Sequence, residues 1–134
     1  MGLAARLGKM TFSYEWTDAD GNTFKPAARA TVIPYTIALK GETPVLDGTA
    51  EGTEIDVSLP GIAAAATFIM IENLTGQPLG CAWGGNFSPD LPNGATMIYA
   101  MPAAPSQGGI TGLRFFLRQA QVGEGLISYA ALGS

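Results

Sequence analysis

Histidine is absent from this chain, and cysteine occurs once, at Cys81. Without an imidazole base, a serine or cysteine hydrolase of the usual kind is excluded, and so is any histidine-dependent metal site. A lone cysteine excludes an internal disulfide and a cysteine-based zinc site; Cys81 reads as a small buried hydrophobe. Ser–Lys hydrolases dispense with histidine, but Lys9, Lys25 and Lys40 stand in polar settings that expose a lysine rather than activate it. Charge is scarce as well. Charged residues make up 13% of the chain, about half the usual share. The net charge is −4 and no Lys/Arg run occurs, so nucleic acid is not an expected ligand. The longest apolar run, Ile62 to Ile71, falls short of the roughly 18 residues a membrane span needs, and no membrane partner is expected. The opening MGLAARLGKM lacks the apolar core of a secretory signal. It begins Met-Gly, but Arg6 stands where a myristoylation pattern needs Ser or Thr.

What is present is apolar and small. Hydrophobic residues reach 47% of 134 residues, enough for one domain with an ordinary core. A surface poor in charge must be covered by Ala, Thr, Gly, Ser, Pro and some apolar side chains. That suits a chain that spends its life against partners; a small secreted module is the competing explanation.

The hydrophobic period is two. MTFSYEW places Phe12, Tyr14 and Trp16 on one face, which reads as core. The turn signal DADGN follows. RATVIPYTIAL alternates around Pro34, which marks an edge or a bulge. EIDVSL turns Ile55, Val57 and Leu59 inward and Glu54 and Asp56 outward. TFIMIENL is apolar on both faces, as in a central strand. LGCAW, ATMIYAM, GLRFFLRQ and GLISYAAL complete about eight short strands, and GIAAAAT allows one helical turn. The expected architecture is all-β: a single-domain jelly-roll-like sandwich or barrel of about eight antiparallel strands over residues 11–134. Residues 1–10 show no clear alternation and read as an N-terminal arm, carrying Arg6 and Lys9, that orders against a neighbour.

The stretch MIENLTGQPLGCAWGGNFSPDLPNG, Met70 to Gly94, poses the choice between a ligand loop and a series of turns. Turns account for its glycines, and neither GxxxxGK[ST] nor GxGxxG occurs. DADGN fails as a calcium loop: counted from Asp18, the sixth and twelfth positions hold Thr23 and Arg29, not Gly and Glu. The acidic run Glu42, Asp47, Glu51, Glu54 and Asp56 reads as a solvated flank that could dock a basic partner or hold calcium weakly, rather than as a glycosidase pair. Trp83, beside Gly84-Gly85, is a candidate sugar-stacking residue. Asn73-Leu74-Thr75 matches a glycosylation acceptor. No metal or cofactor is expected, and no enzymatic activity.

LRFFLRQ is the anomaly. Leu113, Phe115 and Leu117 form one face; Arg114, Phe116 and Arg118 form the other. A phenylalanine between two arginines fits an interface, or a face where arginine stems cover Phe116. The candidate interface set is Arg114, Phe116 and Arg118, with Arg6 and Lys9 of the arm. Glu54 and Asp56 of a neighbouring copy are candidate acceptors for the arginines.

Across TFIMIENLTGQPLGCAWGG, LPNG and YAMPAAPSQGGITGLRFFLRQAQVGEGLISYAALG, residues Thr67 to Gly133, the chain resembles small structural proteins of tailed bacteriophages. It looks most like the cement, or decoration, proteins that clamp a capsid from outside. The resemblance rests on the ENLTG and LPNG turns, on LRFFL and on a glycine-spaced last strand. It implies a jelly-roll-like domain, self-association at capsid symmetry axes, contacts to the major capsid protein, and a place on the virion exterior after synthesis in the bacterial cytoplasm. It carries over no catalytic residue. The alternatives are another virion part, such as a tail or baseplate adaptor or a receptor-binding head, and a carbohydrate-binding β-sandwich module.

Overall fold

A computed structural model of the chain describes residues 6–13, 15–62, 66–83, 86–87, 90–100 and 111–133. The strands in order are β1 (Arg6–Phe12), β2 (Trp16–Thr17), β3 (Thr23–Phe24), β4 (Arg29–Tyr35), β5 (Ile37–Val45), β6 (Glu54–Ser58), β7 (Ala66–Leu74), β8 (Leu79–Trp83), β9 (Asn86–Phe87), β10 (Thr96–Ala100), β11 (Gly112–Leu117) and β12 (Gly125–Gly133). Among the described residues there is no helix, and so none long and apolar enough to cross a membrane. The helical turn expected at GIAAAAT falls partly on Ala63–Ala65, outside the described residues; Ala66 and Thr67 already belong to β7.

β5 to β12 form a β-sandwich that does not close into a barrel. One sheet has the order β10-β7-β12-β5, the other β6-β11-β8 with the two-residue β9 at its edge. Every ladder is antiparallel. First pairs with last, β5 with β12, then β6 with β11, β7 with β10 and β8 with β9. Those four ladders are what results when one long hairpin is folded and wrapped on itself, the jelly-roll winding. β7 is central, between β10 and β12, as its two apolar faces require.

The inner faces meet as the alternation predicts. Phe115 is wholly buried, with Leu113 and Leu117 on its strand and Ile69, Ile71, Ile127 and Leu79 around it. Val57, Leu59 and Cys81 are buried, and Ile55 is partly so. Glu54 and Asp56 face solvent.

The connections 46–53, 75–78, 90–95 and 118–124 gather at one end of the sandwich, and a buried polar network joins them. Asn73 Nδ2 donates to the carbonyls of Gln77 (2.8 Å) and Leu91 (2.9 Å), and Asn73 Oδ1 accepts from the Thr75 amide (3.0 Å) and hydroxyl (2.6 Å). Gln77 Oε1 accepts from the amides of Arg118 and Gln119, and Gln77 Nε2 donates to Gln121 Oε1 at 2.8 Å. Gln121 Nε2 donates to the Thr75 carbonyl at 2.7 Å. Asn73, Thr75, Gln77 and Gln121 are all at most 5% exposed. Among the described residues no buried side-chain polar atom lacks a partner. A saturated network in a low-dielectric site is rigid, so this end of the sandwich is locked. Asn73 is therefore sealed in, and the acceptor amide of its glycosylation tripeptide is inaccessible in the folded chain.

The locked end leaves no room for an added methyl at Gly125, whose Cβ would stand 2.7 Å from Thr75 Cα and 2.9 Å from the Thr75 carbonyl oxygen. Both are backbone atoms and cannot swing aside. Gly125→Ala is expected to lower stability by about 1–3 kcal/mol, read by chemical denaturation, whereas Ser128→Ala on the half-exposed outer face of the same strand changes it little.

Residues Arg6–Met10, expected as an unpaired arm, are strand: β1 pairs with β4 from Arg6↔Tyr35 to Phe12↔Arg29. Met1–Ala5 lie outside the described residues. Pro34 stands opposite Leu7 in a two-stranded ribbon with no register break; it is the edge rather than the bulge. β2 and β3 continue the ribbon, with Trp16 opposite Phe24. Two antiparallel ladders, β1–β4 and β2–β3, thus precede the sandwich, which the chain enters at Thr36. The expected boundary at residue 10 falls inside β1.

Candidate functional site

Three surfaces carry the residues that sequence reasoning singles out. The first is the outer face of β6-β11-β8. Strand alternation turns Arg114 and Phe116 outward there, both partly buried, directly opposite Asp56 and Glu54 of β6. Arg114 Nη1 lies 3.4 Å from Glu54 Oε1, and its guanidinium carbon lies 6.0 Å from the Phe116 ring centroid. Arg118 sits just past the strand. It makes a two-pronged contact with Asp90, through Nε (3.2 and 3.1 Å) and Nη2 (2.9 Å). Its guanidinium lies over Gly80, where a Cβ would meet Nη2 at 2.6 Å, so glycine is what makes room for the clamp.

Leu113, Phe115 and Leu117 point into the core and Arg114 and Phe116 away from it, as expected. The arginine partners are different. Both guanidiniums already have a carboxylate in the same chain, and a neighbouring copy is not needed to supply one. These pairs are roughly half-exposed, so each contributes little stability. Their role is to hold the surface in one shape. Beside them lies a shallow depression of about 370 Å³ edged by Asp56, Ser58, Thr111 and Arg114. It is open to solvent and holds no paired nucleophile and base.

The acidic run does not converge. Glu42 is on the outer face of β5, Asp47 accepts the Gly123 amide at 2.8 Å, Glu51 lies in the connection and Glu54 meets Arg114. Among the described residues no three His, Cys, Asp or Glu side chains are placed to hold a metal ion.

The second surface is the outer face of β10-β7-β12-β5. Cross-strand rows put Met70 beside Ile98 and Ala130, Leu74 beside Leu126, and Leu132 beside Phe68. Ile98 is 48% and Leu74 43% exposed. The charges on this face are Lys40, Glu42 and Glu72.

The third is the hairpin tip. Trp16, expected in the core, is 63% exposed, and Phe24 opposite it is 55% exposed. Trp16 and Phe24 stand opposite each other, and among the described residues no second sheet covers them. The turn itself is well made. Asp18 accepts from the amides of Asp20 and Asn22, each at 2.9 Å, and from Asn22 Nδ2 at 3.1 Å. The Asn22 backbone bond and then its side chain hold the Asp18 carboxyl below the usual carboxylate range. The polar-turn reading of DADGN is correct.

Lys9 is exposed on β1. Arg6 begins β1, but its side chain lies outside the described set, as do those of Phe12, Trp83 and the whole of Tyr14 and the loop 101–110. Sequence reasoning missed the Trp16–Phe24 tip and the Asn73–Gln77–Gln121 network. The closeness of Trp16 to the DADGN turn, at the far end of a hairpin, was the available signal for the first. Nothing distinguishes Gln77 and Gln121 from ordinary loop glutamines.

No protein-family model, no curated protein and no solved structure matches this chain.

Proposed function

We propose that this chain is a non-enzymatic virion structural protein of a tailed bacteriophage, a cement protein that binds the major capsid protein on the outside of the head. The observation that carries this reading is the pairing of a jelly-roll-wound sandwich with an outer sheet face that leaves Ile98 and Leu74 exposed. Jelly rolls serve viral capsids as well as lectins and cupins, so the winding supports the reading by analogy of fold. The exposed apolar side chains support it physically: Ile98 and Leu74 stand on the face in two rows separated by the polar row of Thr96, Glu72 and Ser128, and large apolar side chains left in water on a sheet face suit a protein partner.

The mechanism is linkage. A protein that binds only the assembled shell stabilises it by mass action, and repetition over the shell turns small contacts into avidity. The face of Arg114 and Phe116 is the second contact. Arg114, paired with Glu54 and close to Phe116, is presented ready-made, and Phe116 supplies apolar area at its centre.

The test is co-sedimentation with empty shells assembled from the major capsid protein of the same genome. Saturable binding and a higher shell melting temperature are expected, with Phe116→Ser weakening binding at least about tenfold while the free chain melts normally. Arg118→Glu is unsuitable as a probe, since it would set a second carboxylate against Asp90. Shells that leave the chain in the supernatant overturn the cement reading, and selective retention on a glycan array would put the carbohydrate-binding module in its place.

A further inference from the structure

Asparagine loses its amide fastest when glycine follows it. The glycine backbone nitrogen gives up its proton and attacks the asparagine Cγ, the Cγ–Nδ2 bond breaks, and ammonia leaves. The five-membered imide then takes up water and opens to aspartate or isoaspartate. Glycine puts no side chain in the way of the attack. The chain has one such asparagine, in Asn93-Gly94, and two aspartates that reach the same imide by losing water, in Asp20-Gly21 and Asp47-Gly48. The asparagine is the reactive one, because ammonia leaves a neutral amide more readily than an oxygen leaves an ionised carboxylate.

At the locked end of the sandwich both reacting atoms of Asn93-Gly94 are held. The Ala95 amide donates to the Pro92 carbonyl at 3.0 Å, and Gly94 has a φ of 80°. A closed turn with positive φ at its third residue alone is type II, which turns the Gly94 nitrogen away from the Asn93 side chain. That nitrogen, the nucleophile, donates to the Asn73 carbonyl at 2.7 Å. On the other side, Asn93 Oδ1 accepts from the Gly76 amide at 2.8 Å. The ring cannot close until both bonds break and the turn unwinds.

Asp47-Gly48, at the same end, is held in the same manner. The Gly48 amide donates to the Gln121 carbonyl at 2.9 Å, and Asp47 Oδ1 accepts from the Gly123 amide at 2.8 Å. Asp20-Gly21 stands apart in the exposed DADGN turn, with its Gly21 amide tied inside that turn to the Asp18 carbonyl at 3.1 Å. The two pairs at the locked end are therefore pinned by bonds from other connections. The buried network of Asn73, Thr75, Gln77 and Gln121 keeps those partners in place.

We propose that Asn93-Gly94 is a deamidation site that the native fold holds shut, and that opening of the locked end releases it to an irreversible backbone change. In isoaspartate the main chain runs through the former side-chain carbon. The backbone gains a methylene just before Gly94, and the Gly94 amide no longer meets the Asn73 carbonyl. A chain left open long enough is then lost to refolding, which is a chemical route to irreversible unfolding. The proposal does not rest on the capsid reading.

Peptide mass mapping of the full chain tests it, in mildly alkaline buffer with and without guanidinium chloride. The folded parent is expected to lose the Asn93 amide at least about tenfold more slowly than the unfolded parent, because the end must open first. Asn73→Ala, or Gln121→Ala if that variant does not fold, is expected to lose it several-fold faster than the folded parent. When denaturant is removed, unmodified chain is expected to refold and the isoaspartate form to stay unfolded. Asn93→Asp separates charge from backbone change: its carboxylate still accepts from the Gly76 amide, so it is expected to fold and to melt near the parent. A folded parent that converts as fast as the unfolded chain overturns the proposal. So does an isoaspartate form that refolds like the parent, and so does failure of Asn93→Asp to fold, which would make charge the lesion.

Discussion

A chain carrying Asn73→Ala is expected to melt about 10 °C below the parent. The residue has no exposed surface, and its amide serves four bonds: two carbonyls that accept from it and a Thr75 amide and hydroxyl that donate to it. Truncation strands these groups where water cannot replace the lost partner. An unsatisfied buried group costs about 1–3 kcal/mol, and with more than one stranded the loss is about 3 kcal/mol. For a chain of this size, 1 kcal/mol moves the melting temperature by about 3–5 °C. Asn73→Asp separates bonding from volume. It is nearly the same size, but at neutral pH it sets a carboxylate against the carbonyls of Gln77 and Leu91. It is expected to be at least as damaging as Ala near pH 7 and to recover partly in acid, when the protonated carboxyl regains a donor. Thermal melts at both pH values check this. Equal, small effects for both variants would show that the network is not what locks this end of the sandwich.

Phe115→Ala is expected to cost about 3–5 kcal/mol, the range for a buried phenylalanine. The ring is wholly buried between the two sheets, and antiparallel ladders hold β11 on both sides, so the site cannot collapse to fill the void. Phe115→Leu keeps much of the volume and should cost less than half as much. The adjacent change, Phe116→Ser, should stay within about 1 kcal/mol, because that ring lies on the outer face. Urea titrations at constant m value read all three. The contrast between neighbours is the point: if Phe116→Ser costs as much as Phe115→Ala, the outer face of β11 is covered in the free chain and cannot be a capsid contact.

Alternation of apolar and polar residues was enough to read the sandwich strands. EIDVSL, LGCAW, GLRFFLRQ and GLISYAAL fold as strands within one or two residues of where the pattern puts them, the third ending at Leu117, because a side-chain period of two leaves one face for the core. The inward set Leu113, Phe115 and Leu117 was legible for the same reason, as was the solvent placement of Glu54 and Asp56. RATVIPYTIAL reads as one strand in the sequence and is two in the structure, β4 in the ribbon and β5 in the sandwich, separated at Thr36. The pattern crosses Thr36 without a break because both halves alternate; which sheet each half joins is a long-range choice.

The sequence by itself determined the class of the protein: an all-β chain, strand faces set by alternation, turns set by Asn, Asp and Gly, and no histidine or second cysteine to do chemistry. Only the tertiary structure decided what lies against each face. Trp16 has the alternation of a core residue and is exposed, because periodicity assigns a side to a residue but does not supply the sheet that would cover it. Arg114 and Arg118 have the look of unpartnered interface charges and are paired with Glu54 and Asp90, because strand register and chain return bring residues 60 and 28 positions away to within a hydrogen bond. Asn73, Gln77 and Gln121 read as turn residues and form a sealed network, because burial of a polar side chain depends on partners from three separate connections, and no local pattern encodes their meeting.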